Sequence, residues 1–234
     1  MSSTRARIER YYTDLLQTSG ATRVEACYCL EDLLLADNDP EMLRLHFDLL
    51  TRDTGSAAYY DLRSMFMDRP ADVVEPFLLA RYDEPACPET RAGILHILAA
   101  QGSQQVLPLL RSGLGNPDAV LRRSCIIALG WIGDAGDLSR LRQRLQQDTE
   151  AELRGLAASA LRQWWFRRIL PATDLLPVLY PALQRESSEY ALKLIIVAIQ
   201  DLQGRCHGLK EDLEDHCIHG DPYQARERII AAGL

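Results

Sequence analysis

Five residues of the types that bind metal ions lie close together near the end of the sequence: Cys206, His207, His216, Cys217 and His219. If residues 209–218 form one helix, roughly 16 Å of helical rise separates Cys206 from Cys217, and no single ion bridges that distance. His216 and His219 are three residues apart, but two histidines at this spacing are not a specific zinc signature. We therefore expect no metal site, and the sequence implies no other cofactor.

The motifs of common enzyme classes are missing as well. The sequence has neither an HExxH nor a GxSxG motif. Its glycine-rich stretch, GWIGDAG, falls at the end of an expected helix rather than after a strand, so we do not expect it to bind phosphate. Acidic residues are abundant, but no spacing singles out two carboxylates that would face one pocket. The sequence therefore favours a function other than catalysis.

Composition restricts the partners that the protein could bind. The chain has 234 residues, a net charge of −7 and 47 % apolar residues. A net negative charge opposes nucleic-acid binding, because phosphate contacts need a surplus of Lys and Arg. We expect a protein partner that is neutral or basic.

The sequence shows no signal for export or for membrane insertion. The N-terminal stretch MSSTRARIERYYTDLLQ mixes charges with its apolar positions, unlike a signal peptide. The longest apolar run, Leu192 to Ile199, contains a lysine and is too short to span a bilayer. Because the six cysteines are scattered, we expect free thiols rather than disulfides. These features predict a cytoplasmic protein without a membrane segment.

The elements of the fold are clearest between Asp118 and Asp148. Apolar residues recur there at steps of three and four and predict one buried stripe on a helix that ends at Gly133: Val120, Leu121, Cys125, Ile126, Ala128, Leu129 and Ile132. A second helix follows, with Leu138, Leu141 and Leu145 on its buried side. Two short helices cannot bury both stripes against each other alone, so this unit needs stacked copies of itself.

Copies of the first helix are present in the sequence. They read RAGILHILAAQG from Arg91, RRSCIIALGWIG from Arg122 and RGLAASALRQWW from Arg154, at spacings of 31 and 32 residues. This pattern resembles the HEAT-repeat family, specifically the bacterial PBS-lyase HEAT-like repeats, most clearly over residues 85–165. The resemblance implies an all-α solenoid, a HEAT-like superhelix of about seven antiparallel helix pairs, forming one domain over residues 1–234. Residues 206–234 would form the C-terminal cap, with helices from Leu209 to Ile218 and from Tyr223 to Ala232.

The repeated arginines have a structural interpretation. Each of Arg91, Arg122 and Arg154 follows an acidic residue by a few positions. In HEAT-like repeats an arginine at this place commonly forms a ladder with acidic groups of neighbouring repeats. The resemblance therefore implies a structural role for these three residues.

Positions that vary between the repeats should line the concave surface. An indole at Trp131, one turn after Ile127, would form an apolar patch in a solvent-facing groove, and such patches mark binding sites. In the alternative interpretation, Trp131 packs into the core, as we expect for Trp164. The residues that we predict to bind a partner are Trp131, Ile127, Arg123, His96, Tyr28 and, as an outlying contact, Trp165.

These features favour a non-catalytic module that binds, and blocks or chaperones, one protein partner, as adaptors, assembly factors and toxin-immunity proteins do. An enzyme of the bilin-lyase type, acting on a phycobiliprotein, is an alternative that only the repeat family suggests. A HEAT-like DNA glycosylase is a further alternative, but the negative charge opposes it. HEAT-like hydroxylases hold iron with two His-Glu motifs, and because no His precedes a Glu in this sequence, we exclude that class.

Overall fold

A computed structural model describes residues 2–84, 87–212, 214 and 217–233 of the chain. The chain is organised as two compact units, residues 1–103 and residues 104–234, which we call unit 1 and unit 2. Within each unit, a helix packs against its partner in a pair and against the equivalent helix of the next pair. This arrangement confirms the prediction of an all-α solenoid, while a single domain over residues 1–234 stays a prediction.

Unit 1 consists of helices in its described residues. They are α1 (Ser2–Gln17), α2 (Gly20–Leu35), α3 (Pro40–Arg52), α4 (Ala57–Met67), α5 (Ala71–Tyr82) and α6 (Pro88–Ala100). The second helix of each pair forms a continuous row, because α4 packs against both α2 and α6. Side chains such as Ile8, Leu30, Phe66 and Ile94 are fully buried between the helices.

Unit 2 continues the same pairing and then ends differently. Its helices are α7 (Leu107–Gly113), α8 (Ala119–Ile132), α9 (Leu138–Gln147), α10 (Ala151–Phe166), α11 (Ala172–Arg185), α12 (Glu189–Gln203) and α13 (Pro222–Ala231), with a 3₁₀ turn at Ala135–Asp137. The two strands β1 (Lys210–Glu211) and β2 (Ile218–His219) pair antiparallel between α12 and α13. Helix α10 packs against α8 on one side and α12 on the other.

Short polar side chains begin several of these helices. Asp118 caps α8 by accepting hydrogen bonds from the backbone N–H groups of Val120 and Leu121, at 2.8 and 3.4 Å. Asp39 caps α3 in the same way. A capping carboxylate satisfies N–H groups that have no partner within the helix, and its charge is favourable at the positive end of the helix dipole. The caps fix where each helix begins.

Glycines let α8, α10 and α12 approach each other closely. A Cβ atom added at Gly155 would lie 3.1 Å from the Cα of Ala191 and 2.7 Å from the Cδ1 of Leu194. At Gly130, a Cβ would lie 3.2 Å from the Cα of Ala160. Small residues on facing helices therefore set the short spacing within this row.

Two sequence predictions of the fold are wrong. The described part of Leu209 to Ile218 contains strands of a short hairpin instead of a helix, closed by a hydrogen bond from the Asp212 N–H to the Cys217 carbonyl. Leu209 is buried and Ile218 is half-buried, whereas the other strand residues, Lys210, Glu211 and His219, are exposed, so the two strands contribute little to the core. Val120, which we placed in the buried stripe of α8, is 40 % exposed.

Candidate functional site

A solvent-facing stripe on α8 is the starting point of the candidate site. Val120, Arg123, Ile127 and Trp131 follow each other at steps of three, four and four, so they lie on one side of the helix. Val120 and Arg123 are exposed, whereas Ile127 and Trp131 are half-buried. The indole of Trp131 is thus partly accessible and is not sealed in the core.

Equivalent stripes lie on the two neighbouring helices. Leu156 and Phe166 contribute apolar surface from α10, and Tyr190 and Leu194 contribute it from α12. Phe166 is 58 % exposed and Tyr190 is 52 % exposed, so both present much of their ring to solvent. We call the solvent-facing stripes of α8, α10 and α12 together the inner face of unit 2. It presents apolar and aromatic side chains from three adjacent helices.

The charges of the inner face are largely paired. Arg123 Nε donates to Glu152 Oε1 at 2.9 Å, which joins α8 to α10. Arg162 forms ion pairs with Asp201 on α12 and with Glu211 on β1. Burial raises the pKa of the Tyr190 hydroxyl, and the negative charge of Glu152 adds to this rise while Arg123 opposes it. Because these opposite charges neutralise each other, the surface is close to neutral.

Side chains from the end of α10 and from Arg167, the residue that follows it, hold the last turn of α8 in place. Trp164 is fully buried, as predicted, and its Nε1–H donates to the Leu129 carbonyl at 2.8 Å. Arg167 donates to the Gly130 carbonyl at 3.0 Å. The Leu129 carbonyl also accepts from the Gly133 N–H at 2.9 Å, so the bond from Trp164 is its second. The bond from Arg167 supplies a donor to a carbonyl in the last turn, where helix carbonyls lack partners within the helix. Both side-chain bonds also fix the backbone beside Trp131.

Trp165, the predicted outlying contact, is half-buried and lies against Phe166, with the two ring centroids 4.9 Å apart. Arg162 lies over the ring of Phe166, 5.5 Å from its centroid. The exposed ring of this pair belongs to Phe166, which is on the same side of α10 as Leu156 and Ser159. Phe166 is therefore the better placed of the two for contact with a partner.

The repeated arginines of unit 2 connect successive repeats. Arg122 donates through Nε and Nη2 to the carboxylate of Asp148, at 2.9 Å for both bonds. Arg154 donates to the carbonyl of that same Asp148 at 2.9 Å, and to the carboxylate of Glu186 at 2.7 and 2.8 Å. Arg226 then donates to the carbonyl of Glu186 at 3.0 Å. Asp148 and Glu186 thus each bind an earlier arginine by the side chain and a later one by the backbone, and the Asp148 carboxylate also accepts from Arg144 at 3.4 Å.

The electrostatics of this ladder follow from its geometry. Burial raises the pKa of the Asp148 carboxyl, but hydrogen bonds from Arg122 and from the Glu150 N–H lower it by more, so the net pKa is below its usual value. The Glu186 carboxyl behaves in the same way beside Arg154. Both carboxylates are therefore ionised near neutral pH, and these groups hold the repeats together rather than offering reactive side chains.

Two of the predicted contact residues and one predicted ladder residue belong to unit 1. Tyr28 on α2 is 66 % exposed, and His96 on α6 is half-buried. Arg91 is half-buried, and its Nε has no hydrogen-bond partner among the described residues. The residues that correspond in sequence to the carbonyl partners of Arg122 and Arg154 are 85 and 86, which lie outside the described part. A ladder at Arg91 stays a prediction.

The predicted contacts leave out several residues of the inner face, among them Val120 and Tyr190. Val120 was assigned to the core because it adjoins Leu121, and the period alone does not separate neighbours at the edge of a stripe. Tyr190 was not singled out, because α12 does not carry the repeated arginine that aligned the other helices. Leu192 of α12 aligns with Arg122 and Arg154. Tyr190 is two residues before Leu192, as Val120 and Glu152 are two residues before those arginines, and this alignment could have identified it.

The cysteine and histidine residues near the end of the chain do not form a metal cluster in the described part, where no group of three or more potential ligands comes together. His216 lies outside the described residues. His207 is buried, and its Nε2 lies 2.6 Å from the Gln203 side-chain oxygen. Among the described residues, every helix falls short of the length and apolar character that a bilayer crossing needs.

Comparison with known proteins adds a family match over part of the chain. Residues 75–162 match the family model described as HEAT repeats. No curated protein matches the chain. A solved structure of human deoxyhypusine hydroxylase in complex with glycerol is similar at 18 % identity, over 86 % of this chain and 75 % of that one, with a TM-score of 0.33.

Proposed function

Because residues 75–162 match HEAT repeats, we propose that this chain is a non-catalytic interaction module that binds one protein partner through the inner face of unit 2. HEAT repeats commonly mediate protein interaction, and the matched stretch includes α8 and most of α10. The observation that carries the proposal is the exposure of apolar side chains on three adjacent helices. Contiguous apolar surface of this kind marks interaction sites.

The composition of the inner face indicates what the partner would present. Trp131, Tyr190 and Phe166 are the residue types that dominate the energetics of interfaces, and each is held on a helix. The nearby Arg123 and Glu152 already pair with each other. We infer that the partner contributes an apolar or aromatic patch that is close to neutral, and that charge contacts are confined to the rim.

We further propose that binding blocks or chaperones the partner. The described residues of the inner face carry no constellation of nucleophile, base and stabilising donors that would process a bound molecule. A surface that only covers a partner changes what else the partner can bind. Adaptors, assembly factors and immunity proteins act in this way.

Site-specific photo-cross-linking tests the proposal while the partner is still unidentified. A benzophenone side chain is placed at Ile127 and, as a control, at Gln143, which is exposed on α9. We expect a discrete cross-linked protein from position 127 in cells of the source organism, and none from position 143. The same product from both positions, or only from position 143, would argue against the inner face.

The identified partner then allows a measurement of affinity. We expect Trp131→Ala to weaken binding by about 2 kcal/mol or more, roughly 30-fold, because truncating a central aromatic removes a hot spot. Circular dichroism should show an unchanged fold, since Trp131 is only half-buried. Gln143→Ala should leave the affinity unchanged. If Trp131→Ala binds within twofold of the wild type, the indole is not an anchor.

A further inference from the structure

Unit 1 contains a cleft between its first three helices that has no part in the inner face of unit 2. The cleft has a volume of about 540 Å³, in the range of about 300–1,000 Å³ that is common for binding clefts. Its floor consists of the buried Ile8 from α1 and the half-buried Leu33, Met42 and Leu45 from α2 and α3. The cleft therefore offers a mainly aliphatic floor.

The rim of the cleft is acidic. Asp37, Asp39 and Glu41 are exposed along the turn from α2 to α3, and none of them forms an ion pair within the described part of the chain. Arg5 is the one basic residue of the lining. The side chain of Asp39 also caps α3, because its Oδ1 accepts hydrogen bonds from the Glu41 and Met42 N–H groups at 2.8 Å. Three carboxylates thus border the apolar floor on the side of the turn from α2 to α3.

The nearest buried cation does not neutralise this rim by direct pairing. Arg69 is 3 % exposed, and its Nη1 donates to the Asp37 carbonyl at 2.9 Å and to the Asn38 side-chain oxygen at 2.7 Å. Its Nε donates to the Nδ1 of His46, and its Nη2 donates to the Leu34 carbonyl. These neutral acceptors occupy the guanidinium, which leaves the rim carboxylates facing solvent.

The excess negative charge of the protein lies in the same unit. Residues 1–103 hold ten of the 26 basic residues and seventeen of the 33 acidic residues, which accounts for the whole net charge of −7. Residues 104–234 hold sixteen of each and are neutral. A cation that approaches unit 1 is therefore attracted by the field of the whole unit as well as by the rim.

We propose that this cleft binds a basic amphipathic segment of a partner protein, whose apolar side chains enter the floor and whose Lys or Arg side chains pair with the rim. Charge complementarity excludes an acidic segment, and the aliphatic floor selects against a cation without an apolar face. An amphipathic helix satisfies both conditions, because residues three and four apart line one side. This proposal is independent of the inner face of unit 2.

Three synthetic peptides of about 15 residues test it by fluorescence anisotropy with the full chain. One has Leu on one helical side and Lys elsewhere, a second replaces Lys by Glu, and a third replaces Leu by Gln. We expect binding of the Leu and Lys peptide alone, weakening as salt rises to screen the charges. Equal binding of the Gln and Lys peptide would mean that charge alone is recognised, and would overturn the proposal.

Two matched variants of the protein locate the site. In the rim variant, Asp37→Asn and Glu41→Gln remove two charges and leave the capping Asp39 intact. The control variant, Asp83→Asn with Glu84→Gln, changes the net charge equally at exposed positions of unit 1 outside the cleft lining. We expect the rim variant to bind the Leu and Lys peptide about fivefold more weakly and the control variant to bind it within twofold of the wild type.

The remaining outcomes are distinguishable. Equal weakening in both variants would show attraction to the net charge rather than to the cleft, and an unaffected rim variant would place the peptide elsewhere. Either result overturns the proposal. Trp131→Ala, which tests the inner face of unit 2, should leave peptide binding within twofold, and a larger loss would assign the peptide to that face instead.

Discussion

The ladder in unit 2 makes a quantitative prediction at Asp148. Its side chain is fully buried, and it accepts two hydrogen bonds from Arg122, whose own side chain is only 8 % exposed. The substitution Asp148→Asn keeps the shape of the side chain and removes its charge. It leaves the guanidinium of Arg122 buried without an anion, although the carbonyls of Asn116 and Pro117 still accept from it.

The magnitude follows from the burial of both partners. Removing one member of a buried ion pair costs about 3–5 kcal/mol, because the remaining charge is desolvated without compensation. The two carbonyl acceptors of Arg122 place Asp148→Asn near the lower end, at about 3 kcal/mol. For a chain of this length the melting temperature should fall by about 6–12 °C. The exposed pair of Arg123 and Glu152 is the matched control, and Glu152→Gln should cost less than about 1 kcal/mol.

Urea denaturation followed by circular dichroism measures these free energies of unfolding. A double-mutant cycle of Asp148→Asn with Arg122→Gln isolates the pair, and we expect a coupling of about 2 kcal/mol or more. The double variant should be more stable than the two single costs predict, since Arg122 is no longer buried without an anion. Arg144, which pairs with Asp148 at 3.4 Å, loses its partner in both variants that carry Asp148→Asn, so its effect cancels in the cycle. A coupling below about 0.5 kcal/mol, or equal effects of Asp148→Asn and Glu152→Gln, would refute the ladder as a stabilising element.

Two further predictions concern the acid stability of unit 1 and the hairpin of unit 2. Burial lowers the pKa of His46 to about 3, and the positive charge of Arg69 adds to this effect. Below pH 6.5 the unfolded chain therefore binds a proton at this imidazole and the folded chain does not. The free energy of unfolding consequently falls as the pH falls. Between pH 7 and pH 4.5 this imidazole should lower the free energy of unfolding by about 3 kcal/mol. Chemical denaturation of His46→Gln at the two pH values should show a loss that is smaller by this amount. If His46→Gln has the same pH dependence as the wild type, His46 is not a buried neutral imidazole. Gly204→Ala should cost about 1–2 kcal/mol for its positive φ of 62°, whereas Gly220→Ala should cost more, because its φ is 114° and a Cβ there would collide with the Gly208 carbonyl. Thermal melts of the two variants compare them, and equal losses would show that the backbone beside Gly220 yields easily.

Periodicity predicted the helices well where the repeat was regular, because a helix that packs on both sides of a row must carry apolar residues at steps of three and four. Trp164 could be assigned to the core on this basis, and it is fully buried. The period could not place Val120, which lies at the edge of the stripe on α8. It also could not predict the hairpin, since the choice between helix and hairpin after α12 depends on what the remaining core can cover.

The partners of the repeated arginines were outside the reach of local sequence patterns. The resemblance implied a ladder with acidic groups of neighbouring repeats but did not identify them, and the bidentate partners of Arg122 and Arg154, Asp148 and Glu186, follow them by 26 and 32 residues. Asp148 lies in the turn before α10, and Glu186 lies in the turn before α12. The spacing of the repeats, rather than the spacing within one repeat, therefore contains the information about this ladder.

The distribution of charge separates the two proposed surfaces in a way that the total charge does not. A net charge of −7 predicted a neutral or basic partner for the chain as a whole. In unit 2 the opposite charges balance, and many of them are used in the ladder and in pairs such as Arg123 with Glu152. Binding at its inner face therefore depends on apolar contact, which salt screens little. In unit 1 the rim carboxylates form no ion pairs among the described residues. The attraction of a basic segment to that cleft therefore weakens as added salt shortens the Debye length. Salt dependence thus assigns a bound segment to one surface or the other.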